Sequence, residues 1–214
     1  YEKAILEGLK WLGLDWDNKK LIRQSERIPL YKKYLEHLLE SNLAYYCFCS
    51  VEELDAERQA QLSQGLQPKY SGRCKRLPIE EVNKNLAESK PAVIRFKTPL
   101  KESWFRDIVR GKIPYNGELL GDIIIAKSLE EPLYNFAVVI DDEEMGITHV
   151  IRGEDHLSNT PKQIFLIEAL GFGIPEYAHL PLILGPDRKK LSKRFLDASL
   201  DDYMRAGYLK DAMI

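Results

Sequence analysis

Five cations fall within seven positions near the end of the sequence: Arg188, Lys189, Lys190, Lys193 and Arg194. They follow a Gly185-Pro186-Asp187 turn, which itself follows residues 180–184, an apolar stretch that reads as a short strand. In an open α/β sheet, ligands collect at the carboxyl ends of strands, and lysines there neutralise phosphates as point charges. On charge alone, a solvated basic turn accounts for the same residues equally well. Arg152 ends another apolar run, His149-Val150-Ile151, where a guanidinium can grip a carboxylate through two parallel hydrogen bonds. An ion pair with Glu154 or Asp155 is the structural alternative. Cys47 and Cys49 are one residue apart, and Cys74 follows after 24 more. An odd number of cysteines in a chain this long argues against a disulfide framework and leaves metal ligation or buried thiols.

The elements that must position these residues follow from periodicity. Ile5, Leu9 and Leu12 recur at helical spacing and stop at Gly13; Tyr31, Leu35, Leu38 and Leu39 form a second stripe that begins near Pro29 and ends at Asn42. Ser50-Val51-Glu52-Glu53 is a capping box and predicts a helix running towards the breakers at residues 65–68. Residues 92–98 alternate, with Ile94 and Phe96 on one face and Arg95 and Lys97 on the other, as in a half-exposed strand, and residues 92–126 suit mixed antiparallel structure. Ala137-Val138-Val139-Ile140 and His149-Val150-Ile151 read as strands buried on both faces of a parallel sheet. Thr160-Pro161-Lys162-Gln163 has the form of a capping box with proline at the first helical position, and Gly171 closes that helix. Strand, helix, strand in this order predicts a right-handed crossover. Ser199-Leu200-Asp201-Asp202 caps a further helix, and residues 209–214 begin one more; both chain ends read as cut within helices.

With 214 residues, 44% of them hydrophobic, the chain can bury a core. Its 31 basic and 33 acidic side chains leave a formal net charge of −2, so RNA binding would have to use local patches. The apolar runs fall far short of the roughly 20 residues that span a bilayer. The first residues lack the basic and apolar regions of a secretion signal, which leads us to expect a reducing, cytoplasmic compartment.

Lys190-Leu191-Ser192-Lys193 resembles the second signature motif, K-M-S-K-S, of class I aminoacyl-tRNA synthetases. Val150-Ile151-Arg152-Gly153-Glu154-Asp155-His156-Leu157-Ser158-Asn159-Thr160-Pro161-Lys162-Gln163 resembles the run preceding that loop in bacterial glutamyl-tRNA synthetases. Tyr134-Asn135-Phe136-Ala137-Val138-Val139-Ile140-Asp141-Asp142 and Trp11-Leu12-Gly13-Leu14-Asp15-Trp16-Asp17 are similar to other segments of that family, so the likeness covers nearly the whole chain. The resemblance implies an α/β fold: part of a Rossmann-type class I catalytic domain with an inserted α+β connective peptide that holds the tRNA acceptor end. It divides the chain into catalytic residues 1–43, the insertion 44–132, catalytic residues 133–194 ending in the lysine loop, and the start of a helical stem-contact region at 195–214. It further implies ATP with Mg2+, L-glutamate and tRNA(Glu) as partners of a monomeric enzyme free of membranes. In that enzyme Lys190 and Lys193 would close over phosphates, and Arg152 and Tyr134 would receive glutamate. Asp155 and His156 would lie near the ATP ribose or adenine. Leu182 and Ile183 suit an apolar adenine shelf, although such side chains also simply fill cores.

Cys47, Cys49 and Cys74 match the spacing of a zinc site in the insertion of some members. Their fourth ligand, often histidine two residues past the last cysteine, is replaced here by Arg76, which cannot bind zinc. Tyr70, four residues before Cys74, substitutes in a related enzyme that glutamylates a modified base of tRNA(Asp), and that enzyme is the alternative assignment. Two family features are missing. No His-x-Gly-His occurs around His37, His149, His156 or His179, and Phe195-Leu196-Asp197 replaces the usual histidine and glycine after Arg194. The isolated chain is therefore expected to be unable to form adenylate. A non-catalytic RNA-binding module using Arg73, Lys75, Arg76, Trp104 and Arg106 is the third reading.

Overall fold

The structure, a computed structural model, describes residues 2–18, 20–182, 184 and 200–213. They form two compact units, one from Tyr1–Ile22 with Pro181–Ile214 and one from Arg23–Leu180. In the first unit, helix α1 (Glu2–Leu12) ends where Gly13 turns left-handed at φ 73°. A later short helix of this unit, Leu200–Arg205, packs on α1 at Gly8, where a β-carbon would come within 2.9 Å of the Leu200 side chain. The helical pattern expected after Leu209 is a single 3-10 turn, Lys210–Ala212.

The second unit opens with α2 (Ile28–Glu40), which has proline in its first turn and buries Tyr31, Leu35 and Leu38. Asn42, at φ 56°, makes the left-handed turn into β1 (Ala44–Cys47). The Ser50 capping box forms as its sequence predicts and starts α3 (Val51–Ser63). There follow α4 (Ile79–Ala87), β2 (Val93–Phe96), β3 (Glu102–Asp107), β4 (Gly111–Asn116), α5 (Gly117–Leu120), β5 (Ile124–Ser128), β6 (Glu131–Pro132), α6 (Tyr134–Glu144), β7 (His149–Gly153), α7 (Thr160–Leu170) and β8 (Glu176–Leu180).

Two four-stranded sheets result. The first, in the order β1-β2-β5-β6, is antiparallel throughout. The second, in the order β4-β3-β8-β7, joins the β3–β4 hairpin to the parallel β8–β7 pair, with Asp107 opposite Tyr177 and Arg152 opposite His179. Ile94, Phe96 and Ile125 of the first sheet meet Leu35, Phe136, Ile140, Phe165 and Leu166 from α2, α6 and α7 in one core.

Four expectations are corrected. Ala137-Val138-Val139-Ile140 lies in α6, because Phe136, Ala137, Val139 and Ile140 make a helical face that packs on this core, and packing overrides β propensity. The strand expected at 180–184 comes earlier, as β8, where Tyr177, Ala178 and His179 are buried. Strand β7 lies at a sheet edge, and Ile151 is 64% exposed instead of buried between two layers. Arg95 was expected on an exposed face and is only 6% exposed, because the Tyr70 ring covers its guanidinium at 3.9 Å.

Candidate functional site

Arg152 sits one residue from the carboxyl end of β7, and its inner edge is fully engaged. Its Nη2 donates to Thr160 Oγ1 at 2.7 Å and to Gln163 Oε1 at 2.8 Å, and its Nε donates to His179 Nε2 at 3.2 Å. Among the described residues no hydrogen-bond partner is found for Nη1. Of the two neighbouring acids, Glu154 pairs with Arg110. The expected Thr160–Gln163 capping box does not form. The N-cap of α7 is Asn159, without a side-chain cap bond, and the Thr160 and Gln163 side chains turn to Arg152. A charged donor outcompetes a backbone N–H for the same oxygens.

His179 is fully buried and Asp107 1% exposed. Asp107 Oδ2 lies 2.6 Å from His179 Nδ1 and 3.1 Å from the His179 backbone N, while Oδ1 accepts from the backbone N–H groups of Val109 at 3.0 Å and Arg110 at 2.9 Å. Burial alone would raise the Asp107 pKa, but these hydrogen bonds, led by that of His179, hold it below the usual carboxylate range. The ionised carboxylate can only accept, so the proton belongs on Nδ1, and the bare Nε2 faces Arg152 and the Thr160 hydroxyl, the latter at 3.0 Å. Sequence reading missed Asp107 and His179. An aspartate at a strand end looks like an ordinary turn former, and its histidine lies 72 positions away.

Tyr134, in the first turn of α6, brings its hydroxyl to 3.4 Å from His156 Nδ1, which also faces the Asn159 side-chain amide at 3.3 Å. Gly153 leaves room for the Asp155 side chain, whose Oδ1 would lie 2.7 Å from any β-carbon there. Leu182 is half-buried in the other unit. Lys190, Lys193 and Ile183 lie outside the described residues.

A second cluster forms on the first sheet. Cys47 ends β1, Cys49 precedes the Ser50 N-cap, and Cys74 lies on the 3-10 turn Arg73–Arg76, which Gly72 enters at φ 78°. The three sulfur atoms lie within 4.8 Å of one another. The Tyr70 hydroxyl joins them, 3.4 Å from the sulfurs of Cys47 and Cys49, and accepts the Cys74 backbone N–H at 3.0 Å. The Phe48 N–H donates to the Cys74 sulfur, and Arg73 donates to that of Cys49, both at 3.4 Å. Burial raises the Cys47 pKa, but hydrogen bonding, first to Tyr70, outweighs it and leaves this thiol below its ordinary value; burial raises that of Cys49. A tetrahedron of zinc–sulfur bonds has edges of about 3.8 Å. Three sulfurs and one phenol oxygen, 3.4–3.5 Å apart where they are in contact, fit such an ion.

A family model described as tRNA synthetases class I (E and Q), catalytic domain, matches residues 1–214. Glutamate–tRNA ligases from Carboxydothermus hydrogenoformans and Aquifex aeolicus are each 51% identical to the chain; the alignments cover 100% of this chain and 46% and 45% of theirs. A crystal structure of a glutamate tRNA ligase from Elizabethkingia meningosepticum, in complex with its amino acid, superposes with a TM-score of 0.86 at 38% identity, covering 99% of this chain and 49% of that one. The chain thus spans somewhat less than half the length of the relatives it matches.

Proposed function

The chain belongs to the catalytic-domain family of class I tRNA synthetases for glutamate and glutamine, and from that membership we propose that it serves the ATP-dependent attachment of L-glutamate to tRNA(Glu). The observation that carries the choice of amino acid is Arg152, held along its inner edge by three acceptors with Nη1 left to meet a carboxylate. Tyr134, whose hydroxyl lies beside His156, would receive the same amino acid.

In the first step an α-carboxylate oxygen of glutamate attacks the α-phosphorus of ATP, and pyrophosphate leaves with its electron pair. In the second, a hydroxyl of the terminal tRNA ribose attacks the activated carbonyl and AMP leaves. Arg152 fixes the far end of the amino acid, so its reacting carboxylate arrives in one register. Asp155 and His156 hold the ribose or adenine, and Leu182 and Ile183 shelve the base. Lys190 and Lys193 neutralise the charge that builds on the phosphates, an interaction stronger in the transition state than in the ground state. Mg2+ accompanies the nucleotide and shares that charge. Residues 44–132 form the insertion facing the acceptor end. Strand β3 supports this, since it buries Phe105 and Asp107 and turns Trp104 and Arg106 outward, with Lys112 4.6 Å above the indole. Cys47, Cys49, Cys74 and Tyr70 hold a structural zinc, which would tie β1 to the turn at Arg73–Arg76. As in the family it resembles, the protein would act as a cytoplasmic monomer. Separately, no described helix is long and apolar enough to cross a membrane.

Glutamate-dependent ATP–pyrophosphate exchange by the full-length protein tests this reading. Arg152→Lys keeps the charge and loses the fork, and should raise KM for glutamate roughly tenfold or more. Lys193→Ala should lower kcat by about a hundredfold. Unchanged kinetics in both would refute the assignment. The Tyr70 thiol site favours the base-glutamylating relative as a second reading, and charging of the tRNA(Glu) 3′ end rather than of a tRNA(Asp) base decides between them.

A further inference from the structure

We propose that Asp107 and His179 form a positioning relay that sets the glutamate specificity of Arg152 from the β3–β4 hairpin. The inference rests on the reading of Arg152 as the receptor for the glutamate side chain.

Three links make the relay. The Asp107 carboxylate is fixed by backbone N–H groups from its own turn and from β8. Its Oδ2 lies 2.6 Å from His179 Nδ1 and accepts the proton placed there, which decides the tautomer and the ring plane. The lone pair left on Nε2 then receives the Arg152 Nε–H at 3.2 Å, while Thr160 braces both partners, 3.0 Å from Nε2 and 2.7 Å from Arg152 Nη2. The Tyr177 ring lies 5.7 Å from the guanidinium and Phe105 lies edge-on to the imidazole, so the chain of bonds runs through an apolar wall. Burying a carboxylate and an imidazole is costly unless every polar atom is satisfied. The ring's other nitrogen, Nε2, takes its hydrogen bond from Arg152, the guanidinium read above as the receptor for the glutamate side chain. The opposite tautomer would set an N–H against an N–H and push Arg152 out of register.

Asp107→Asn isolates this logic. Oδ1 remains to accept from Val109, Arg110 and, at 3.3 Å, the His179 backbone N–H, so the new NH2 stands where Oδ2 stood and donates to Nδ1, forcing the proton onto Nε2. In glutamate-dependent ATP–pyrophosphate exchange by the full-length protein, Asp107→Asn should raise KM for glutamate roughly tenfold to a hundredfold. KM for ATP should stay within about twofold. Because the effect passes through Arg152, Asp107→Asn should add less than about twofold in the Arg152→Lys background. An additive effect there, or equal rises in both KM values, overturns the relay. If Arg152→Lys itself leaves KM for glutamate unchanged, the reading of Arg152 falls first and takes the relay with it. If Arg152→Lys raises that KM and Asp107→Asn does not, only the relay falls. A direct measurement needs no folded Asp107 variant: imidazole nitrogen shifts of 15N-histidine-labelled unmutated protein, with the His179 signal assigned by its loss in His179→Gln. A proton on Nδ1 and a bare Nε2 support the relay, and a proton on Nε2 overturns it.

Discussion

A planar guanidinium keeps a fixed outer edge only if its inner edge is satisfied, and Thr160, Gln163 and His179 meet that condition for Arg152. The Tyr70 hydroxyl plays the comparable part at the thiol cluster. It contacts all three cysteines, through two sulfurs and the Cys74 backbone N–H. Burial, then the thiol hydrogen bonds, push the phenol far above its ordinary pKa, so an ion rather than pH would have to draw it into ligation. If Tyr70 is the fourth ligand, purified full-length protein should carry one zinc per chain. Tyr70→Phe should keep the fold by circular dichroism yet release zinc to a chromogenic chelator with an affinity lowered by more than about tenfold. Identical release from both proteins would leave the thiols as the whole site.

Two strings of one pattern show how much of this chemistry was legible in the sequence and where legibility ended. Ser50-Val51-Glu52-Glu53 and Thr160-Pro161-Lys162-Gln163 both read as capping boxes. The first forms both reciprocal bonds, because Arg73, the charged donor beside it, stays 3.5 Å from Glu53 Oε2 while the Ser50 N–H comes to 2.9 Å. The second surrenders its oxygens to Arg152, a partner whose position depends on the β7–β8 pairing and is invisible to local pattern. In the same way Ile94, Phe96 and the stripe of α2 announced their burial by period. The 136–140 run, too short to display one, became a helix only because α2, α7 and the first sheet offer it a groove. Lys190, Lys193 and Arg152 stood out by type and spacing, whereas Asp107 and His179 had no signal beyond a turn and a lone histidine. The two boxes should therefore fail differently. Ser50→Ala should lower the unfolding free energy by about 1 kcal/mol in denaturant titration and leave KM for glutamate unchanged. A shift in that KM would mean that α3 reaches the substrate after all.

At the scale of the whole molecule, the two candidate sites occupy different sheets and different apolar clusters. Tyr45, Cys47 and Cys74 pack with Leu77 and Val93 in a small cluster of their own, whereas Phe105, Ile164 and Tyr177 wall the Arg152 relay. The thiol cluster closes a loop from Cys49 to Cys74 that holds α3 and buries little else, so an ion there would supply order that the small core cannot. The relay needs no such ion, because Asp107 and His179 are locked by strand pairing and by the main core behind α7. If zinc fills the thiol site, its removal by chelation should therefore act locally. In hydrogen–deuterium exchange, amides of residues 45–49 and 70–76 should lose protection, beginning with those of Phe48 and Cys74, whose N–H groups point into the cluster. The His179 amide, bonded to Asp107, should remain slow, and KM for glutamate should move by less than about twofold. Loss of protection spreading through β8 would show instead that the two sheets share one cooperative unit, with the thiol site upholding the substrate pocket from a distance.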